Sequence, residues 1–448
     1  MFNPDRIKIV KKGIENKNTG INYYWMQASQ RVEDNFAIEY LINCMNETKN
    51  KSKIVFCVSD SFGNANRRHY YFMLQGIIKV KKRVEQLGME FIIKIGNPAK
   101  IISELENINI LITDKGYTRI QREWRNQVYE EAECSIIEIE DNVIVPVERA
   151  SLKEEYGAYT IRPKLWRMAS EFADDQYIFS GKKLNSLNKE DYILIEEILS
   201  KIKADNCVKE NPKIEGGEDV ADILLNQFVI DKGKKYEEFG NIPDMENGSS
   251  LSPYIHFGQI SPLKIYREAV KYGYKEFIEQ LFVRRELAVN FVWYNNDYDN
   301  FNSLKSAWIY ETLEKHCFDK REYIYTIGEL EEGKTHDIFW NAAQSEMTMT
   351  GYMKSYMRMY WGKKIIEWSK TPEEAYNKMI YLNDKYLIDG RDPNGYAGVA
   401  WCFGKHDRPW GEREIFGKVR YMNDSGLKRK FVMEKYVEKI ETIKKTIT

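Results

Sequence analysis

The stretch from Trp340 to Phe431 decides the reading: WNAAQ (340–344), YMRMYWGKKIIEW (356–368), IYLND (380–384), DGRDPNGYAGVAW (389–401) and GEREIFGKVRYMNDSGLKRKF (411–431). Five of the ten tryptophans, at 340, 361, 368, 401 and 410, fall in it, between polar pairs and ahead of a basic tail. Trp361 and Trp368 are seven residues apart, so on a helix they share a face, separated by roughly 10 Å of rise. An indole pair at that spacing is ordinarily core packing, and it is also close enough for an electron to hop. The combination suits a flat aromatic cofactor, electron transfer through indoles and a nucleic-acid backbone nearby.

Around this stretch the apolar positions keep three- and four-residue spacing, as in Phe277, Leu281, Leu287 and Phe291 and again in Met353, Met357, Tyr360, Trp361, Ile365 and Trp368. Prolines at 243, 253, 262, 372, 393 and 409 punctuate the segments. Residues 216–448 therefore read as an all-α domain. The first 170 residues read differently. Ile54–Asp60, Met89–Gly96, Ile108–Asp114 and Ser135–Asp141 are short, apolar and β-rich, with Ile21–Met26 as the first strand, and helical patterns at Gln30–Asn46, Tyr70–Leu87 and Gln121–Cys134 alternate with them. This predicts a doubly wound parallel-sheet α/β domain over 1–170, a type that takes ligands at the strand C-termini. A polar connector over 171–215 has one helix, Asp191–Lys203.

Composition sets limits. With 67 basic and 68 acidic residues the net charge is −1, so any contact with DNA must come from a local patch. The six cysteines are scattered, which suits reduced thiols in a cytoplasmic protein. No signal-peptide pattern and no long apolar run is present, so no membrane role is expected. The five histidines form neither HExxH nor a Cys/His cluster, so no metal is expected. GxGxxG, GxxxxGK[ST] and GxSxG are absent, leaving dinucleotide, nucleoside-triphosphate and hydrolase sites unsupported.

Three further patterns carry chemistry. GSSLSPYIHFGQIS (248–261) clusters hydroxyls before a helix start, which fits either a simple cap or a pyrophosphate cradle. Arg358 and Asp389 make a natural buried ion pair; the alternative is a surface salt bridge beside an ordinary turn. Lys418, Arg420, Lys428, Arg429 and Lys430, interleaved with Phe416, Tyr421 and Phe431, form either a solvated face or a phosphate-neutralising patch.

The order and spacing of these blocks closely resemble the class II cyclobutane pyrimidine dimer (CPD) DNA photolyases of the photolyase/cryptochrome superfamily. YYWMQASQRVEDNFA (23–37) is similar to that family's YWMxxxQRxxDN pattern. The resemblance implies an α/β antenna-type domain, an all-α C-terminal FAD-binding domain, and light-driven repair of CPDs in DNA. FAD, active as the reduced anion, would pass an electron to a flipped-out dimer. It implies a relay of Trp340, Trp361 and Trp368, with Trp368 outermost. It places Tyr236, Ser249, Ser250, Leu251 and Ser252 at the FAD phosphates and Arg285 at phosphate or ribitol. Asn341, Gln344, Arg358, Asn383 and Asp389 would face the isoalloxazine, Asn383 switching its amide between accepting and donating at N5. Met359 and Trp401 would line the lesion pocket, Glu286 or Glu279 would contact the dimer, and the five basic residues would hold DNA. Where relatives have a DFSPLR-like string this chain has TDKGYTRIQREW (113–124). The antenna chromophore, deazaflavin-type or none, is therefore open. A monomer is expected. The rival readings are a cryptochrome-like photoreceptor, a (6-4) photoproduct photolyase and a colourless helical DNA-binding module.

Overall fold

The computed structural model describes residues 3–13, 19–60, 62–175, 186–202 and 204–447. Part of the expected connector, residues 176–185, and Lys203 lie outside the described residues. The chain forms two compact units: residues 1–152, 162–231 and 249–286, and residues 153–161, 232–248 and 287–448.

The first unit is built on a six-stranded sheet of β1 (Ile7–Lys11), β2 (Ile21–Met26), β3 (Ser52–Val58), β4 (Glu90–Ile95), β5 (Ile108–Asp114) and β6 (Ser135–Ile139), in the order β1-β6-β5-β2-β3-β4. All neighbours are parallel except β1, which pairs antiparallel with β6 and bulges between Ile9 and Lys11. The antiparallel β1 adds an edge strand, not expected from sequence, to the expected parallel sheet. The order reverses at β2, the crossing pattern of a doubly wound sheet.

Helices α1 (Phe36–Thr48), α2 (Arg67–Gln86), α3 (Pro98–Ser103) and α4 (Arg119–Glu131) connect the strands. Tyr23 and Trp25 on β2, with Val55, Cys57, Leu111 and Ile136, pack with Ala99 and Ile102 of α3 and Trp124 and Val128 of α4. Their period-two neighbours Tyr24, Ile54 and Ile112 point to the opposite face and are fully buried. Burial on both faces explains why these strands read as nearly continuous apolar runs. α5 (Lys189–Ile202) packs on α2 rather than standing apart as a linker helix.

At the C-terminal ends of β2 and β5 the chain fills its own crevice. Asp114 Oδ2 accepts from the amides of Gln27, Ala28 and Ser29 at 2.8–2.9 Å, while Oδ1 pairs with Arg125 at 2.6 Å. The QASQRVEDN string then folds against FGQIS. Arg31, ion-paired to Asp141 at 2.8 Å, donates to the Gly258 carbonyl at 3.0 Å. Gly258 has φ +66° and sits so close to Ala28 that a Cβ would fall 1.9 Å from its carbonyl oxygen, so only glycine fits.

The second unit is helical: α6 (Ala307–Lys315), α7 (Ile338–Thr350), α8 (Ser355–Glu367), α9 (Pro372–Tyr386), α10 (Pro393–Cys402), α11 (Asp424–Lys430) and α12 (Met433–Ile447) are its main elements. α7 packs on α8 and α12, α8 on α9 and α10, and α9 on α10. Starts are capped locally. Asp337 accepts from Phe339 and Trp340 at 3.0 Å, Thr371 and Pro372 open α9, and Asp392 and Pro393 open α10. Among the described residues no helix is long and apolar enough to cross a membrane.

Candidate functional site

The three tryptophans expected to form a relay are buried, at 0%, 5% and 1% exposure for Trp340, Trp361 and Trp368. Packing of α7 on α8 stacks Trp340 on Trp361, with ring centres 6.4 Å apart and planes 6° from parallel. Trp368, one residue past α8, meets Trp340 edge-on at 5.5 Å. Among the described residues Trp361 and Trp368 share no ring contact, so the ring contacts cross between helices instead of running along one. Trp340 Nε1 donates to the Trp361 carbonyl at 3.0 Å, and Trp361 Nε1 to Gln344 Oε1 at 2.9 Å. Beyond Trp368 lie Tyr325 and His336, each 5.3 Å away, and His336 stacks at 3.8 Å on the partly exposed Tyr323.

One turn before Trp361, Arg358 Nη2 donates to both carboxylate oxygens of Asp389 at 2.9 and 3.0 Å, and its Nε donates to the Met353 carbonyl at 2.8 Å. Asn383 is buried. Its Nδ2 donates to Asp384 Oδ1 at 2.9 Å, and its Oδ1 has no hydrogen-bond partner among the described residues. Gly395 lies against this amide, and a Cβ there would come within 2.9 Å of Nδ2. Asp384 was not anticipated from sequence. Buried, with its carboxyl pushed upward by desolvation, it also accepts from the Arg391 amide at 2.9 Å and from Tyr396 at 3.4 Å. It thereby fixes Asn383 from behind.

Not every expected group joins this cluster. The Asn341 side chain is engaged by Thr335, donating to its carbonyl at 2.7 Å and accepting from its amide and hydroxyl at 3.0 and 2.8 Å. Tyr236 opens a short helical turn in the second unit, half-buried. In the first unit, Leu251 is buried, its amide bonded to Ser249 Oγ at 3.4 Å. Ser250 adopts φ +58° and Ser252 begins a five-residue helix.

Arg285, also in the first unit, is 8% exposed and donates through Nη2 to the Asn142 carbonyl at 2.7 Å; its Nε and Nη1 lack hydrogen-bond partners among the described residues. Glu286 Oε1 lies 3.8 Å from Nη1, an ion pair too long for a hydrogen bond, so this buried guanidinium edge fits an anionic ligand group. Both oxygens of Glu286 are engaged by the Ile144 and Val145 amides at 2.7 and 3.3 Å, and burial pushes its carboxyl up to about 7. Glu279 pairs with Arg162 and Arg284 at 2.7 and 3.1 Å.

On α10, the half-buried Trp401 lies between Lys363 Nζ at 5.3 Å and the Arg420 guanidinium at 5.6 Å; Arg420 in turn covers Trp410 at 4.9 Å. Lys363 was also unforeseen. It is fully buried, donates to the Cys402 carbonyl, and desolvation lowers it to about 8. Met359 is half-buried and Lys418 exposed. Lys428, Arg429 and Lys430 end α11, where cations complement the helix dipole. Lys428 lies over Phe339 at 5.3 Å and Lys430 over Tyr356 at 4.3 Å. Among the described residues no group of three His, Cys, Asp or Glu is arranged to hold a metal.

The fold is that of the photolyase/cryptochrome architecture. A cryptochrome of Synechocystis sp. PCC6803 shares it with a TM-score of 0.71 at 13% identity, over 95% of this chain and 89% of that one. Residues 22–179 match the DNA photolyase family. The chain is 45% identical to a deoxyribodipyrimidine photo-lyase of Methanothermobacter thermautotrophicus, over 93% of this chain and 94% of that protein. It is 37% identical to one from Arabidopsis thaliana, over 98% and 93%. The chain belongs to the DNA photolyase family.

Proposed function

We propose that this chain is a class II CPD photolyase, acting as a monomer on dimer-containing DNA, with residues 216–448 carrying the FAD and DNA contacts. Its carrying observation is the stack Trp361–Trp340–Trp368 one helical turn from the Arg358–Asp389 pair and the half-satisfied Asn383. The relatives named deoxyribodipyrimidine photo-lyase support the same substrate class. Bound FAD, as its two-electron-reduced anion, would supply the light absorption and the electron that opens a cyclobutane ring and then returns.

The chain's own residues have separable tasks. Gln344 and the Trp361 carbonyl lock the indole N–H groups, so the two stacked rings are held in a fixed orientation. Asn383 Oδ1 is poised to accept a hydrogen bond from a ligand N–H. Arg358 and Asp389 set the charge beside it. Arg285 would hold phosphate or ribitol, and Tyr236, Ser249, Ser250, Leu251 and Ser252 the pyrophosphate. Trp401, held by two cations, and Met359 would line the pocket of an extruded lesion. Glu286 or Glu279 would serve the dimer only by releasing its present partners. An antenna chromophore of deazaflavin type belongs to this proposal only as an open alternative to none.

The test is an absorption spectrum of purified protein, then blue light with reductant and an oligothymidylate carrying CPDs. Light-dependent recovery of thymine absorbance supports the proposal. A flavin that photoreduces while the dimers persist would favour a photoreceptor or a (6-4) enzyme, and a colourless folded protein would sink all three.

A further inference from the structure

A hairpin next to the proposed DNA face is held in a conformation its sequence does not favour. Residues 410–418 double back through Trp410 N–H to the Lys418 carbonyl at 2.8 Å and a reciprocal pair between Arg413 and Gly417 at 2.9 and 2.7 Å. At its tip Ile415 has φ +67°, a left-handed backbone that a β-branched residue avoids and that persists only where surroundings over-determine it. Those surroundings are the C-terminal end of α6 and the turn after it. The Ile415 amide donates to Asp319 Oδ2 at 2.8 Å, the Lys418 amide to Thr312 Oγ1 at 2.9 Å, and Gly417 abuts Thr312 and His316.

His316 is the centre of the clamp. Its Nδ1 lies 2.6 Å from Asp319 Oδ2 and its Nε2 3.0 Å from Glu412 Oε1. Ionised carboxylates only accept, and neutral imidazole carries one N–H, so both contacts are satisfied only by the imidazolium. Neutral His316 would set a lone pair against a carboxylate on one side. The other charged groups here are Lys315, 2.6 Å from Glu412, and Arg321, which donates to the Asp319 and Cys317 carbonyls at 3.0 and 3.1 Å. Lys315 and then His316 hold the Glu412 carboxyl down to about 2, and the Ile415 amide and then His316 lower Asp319, so both stay ionised wherever His316 titrates. His316 also closes α6, where the helix dipole favours a cation.

We infer that protonated His316 is a positioning residue that pins the 410–418 hairpin, so that the Trp410–Arg420 face presented to DNA loosens when the imidazole loses its proton. The inference rests on the reading that this face binds DNA. Arg420 bridges Trp410 on the hairpin and Trp401 beside the proposed lesion pocket, so displacing the hairpin removes one of the two rings that orient it. Donating hydrogen bonds to Glu412 and then to Asp319 raises His316 above its ordinary value near 6.5. The clamp is therefore complete below 6.5 and is released as pH rises through the higher folded value.

Two measurements on the full-length holoprotein test this. The first, without DNA, is amide exchange at Ile415 and Gly417 between about pH 6 and pH 9, corrected for intrinsic base catalysis. Protection in the wild type should fall about tenfold over that range, the worth of a single charge-assisted hydrogen bond. His316→Gln should exchange fast and without pH dependence, while His316→Lys, cationic throughout, should keep part of the protection without the pH slope. The second is affinity for a CPD-containing oligothymidylate, which should weaken several-fold over the same range in the wild type and stay flat in both variants. A wild type that binds equally at both pH values, or a His316→Gln variant that keeps the wild-type slope in either assay, overturns the clamp. Failure of the wild type to bind damaged DNA at any pH would instead overturn the DNA-repair reading, while the exchange assay still judges the hairpin.

Discussion

Single side chains here carry consequences out of proportion to their size. Replacing Trp340 with Phe keeps a ring in a fully buried slot but removes the N–H held by the Trp361 carbonyl. We expect photoreduction of oxidised FAD to drop at least about tenfold while enzyme reduced beforehand repairs dimers at near wild-type rate. The stability loss should be about 1–3 kcal/mol, from one lost hydrogen bond and a smaller ring in a buried slot, while the Trp361 carbonyl keeps its helical donor. Equal loss of both activities would reassign Trp340 to packing. Lys363 makes a pH statement. Desolvation holds it near 8 against an ordinary 10.5, so the unfolded chain binds the proton more tightly. The fold therefore gains stability as pH climbs from about 8 towards 10.5, by roughly 3 kcal/mol at full amplitude. Lys363→Met should narrow the Tm difference between pH 7 and pH 10, which calorimetry would read. Neither this lysine nor Asp384 was legible in the sequence. GKK inside a helix looks like a solvated face, and nothing in YLND says that its aspartate fixes the asparagine before it. The Arg358–Asp389 pair was legible through the family resemblance, since by their own residue types the two charges fitted a surface salt bridge beside a turn equally well.

At the scale of elements, β2, β3, β5 and β6 could be read because strands buried on both faces leave uninterrupted apolar runs, and β4, an edge strand, because its own FII run is apolar. β1 could not: IKIVK is an edge strand of mixed exposure, with a bulge and lysines between its apolar residues, and it is antiparallel. Helix starts carry their own tests. Asp337 caps α7 through two amides and also accepts from Tyr360, so Asp337→Ala should cost about 1–2 kcal/mol and Asp337→Asn clearly less. Thermal unfolding of both variants separates a missing cap from a missing charge. Gly258→Ala should be worse, because its φ and the Ala28 carbonyl both exclude a Cβ. Expected loss is above about 2 kcal/mol, with the QASQRVEDN segment as the first region to lose exchange protection.

The whole molecule has almost no net charge, so the proposed affinity for DNA must come from a local patch and be strongly salt-dependent. Withdrawing one cation from one phosphate should flatten the dependence of log K on log salt by about 0.9. Lys428→Ala, Arg429→Ala and Lys430→Ala combined should lower that slope by up to about 3, whereas a slope unchanged from wild type would return these residues to helix capping. The division into compact units was the least legible property: residues 162–231 and 249–286 cluster with the sheet although their own periodicity is helical. Periodicity reports an element's type and not which neighbours it will choose. The three indoles, finally, sit in series: Trp340 makes ring contact with both Trp361 and Trp368, which share none with each other among the described residues. On the proposed relay, chemical damage to that one ring would leave the electron only the longer gap from Trp361 to Trp368. Complete burial of Trp340 would then also be insulation, shielding the middle ring from dissolved oxidants.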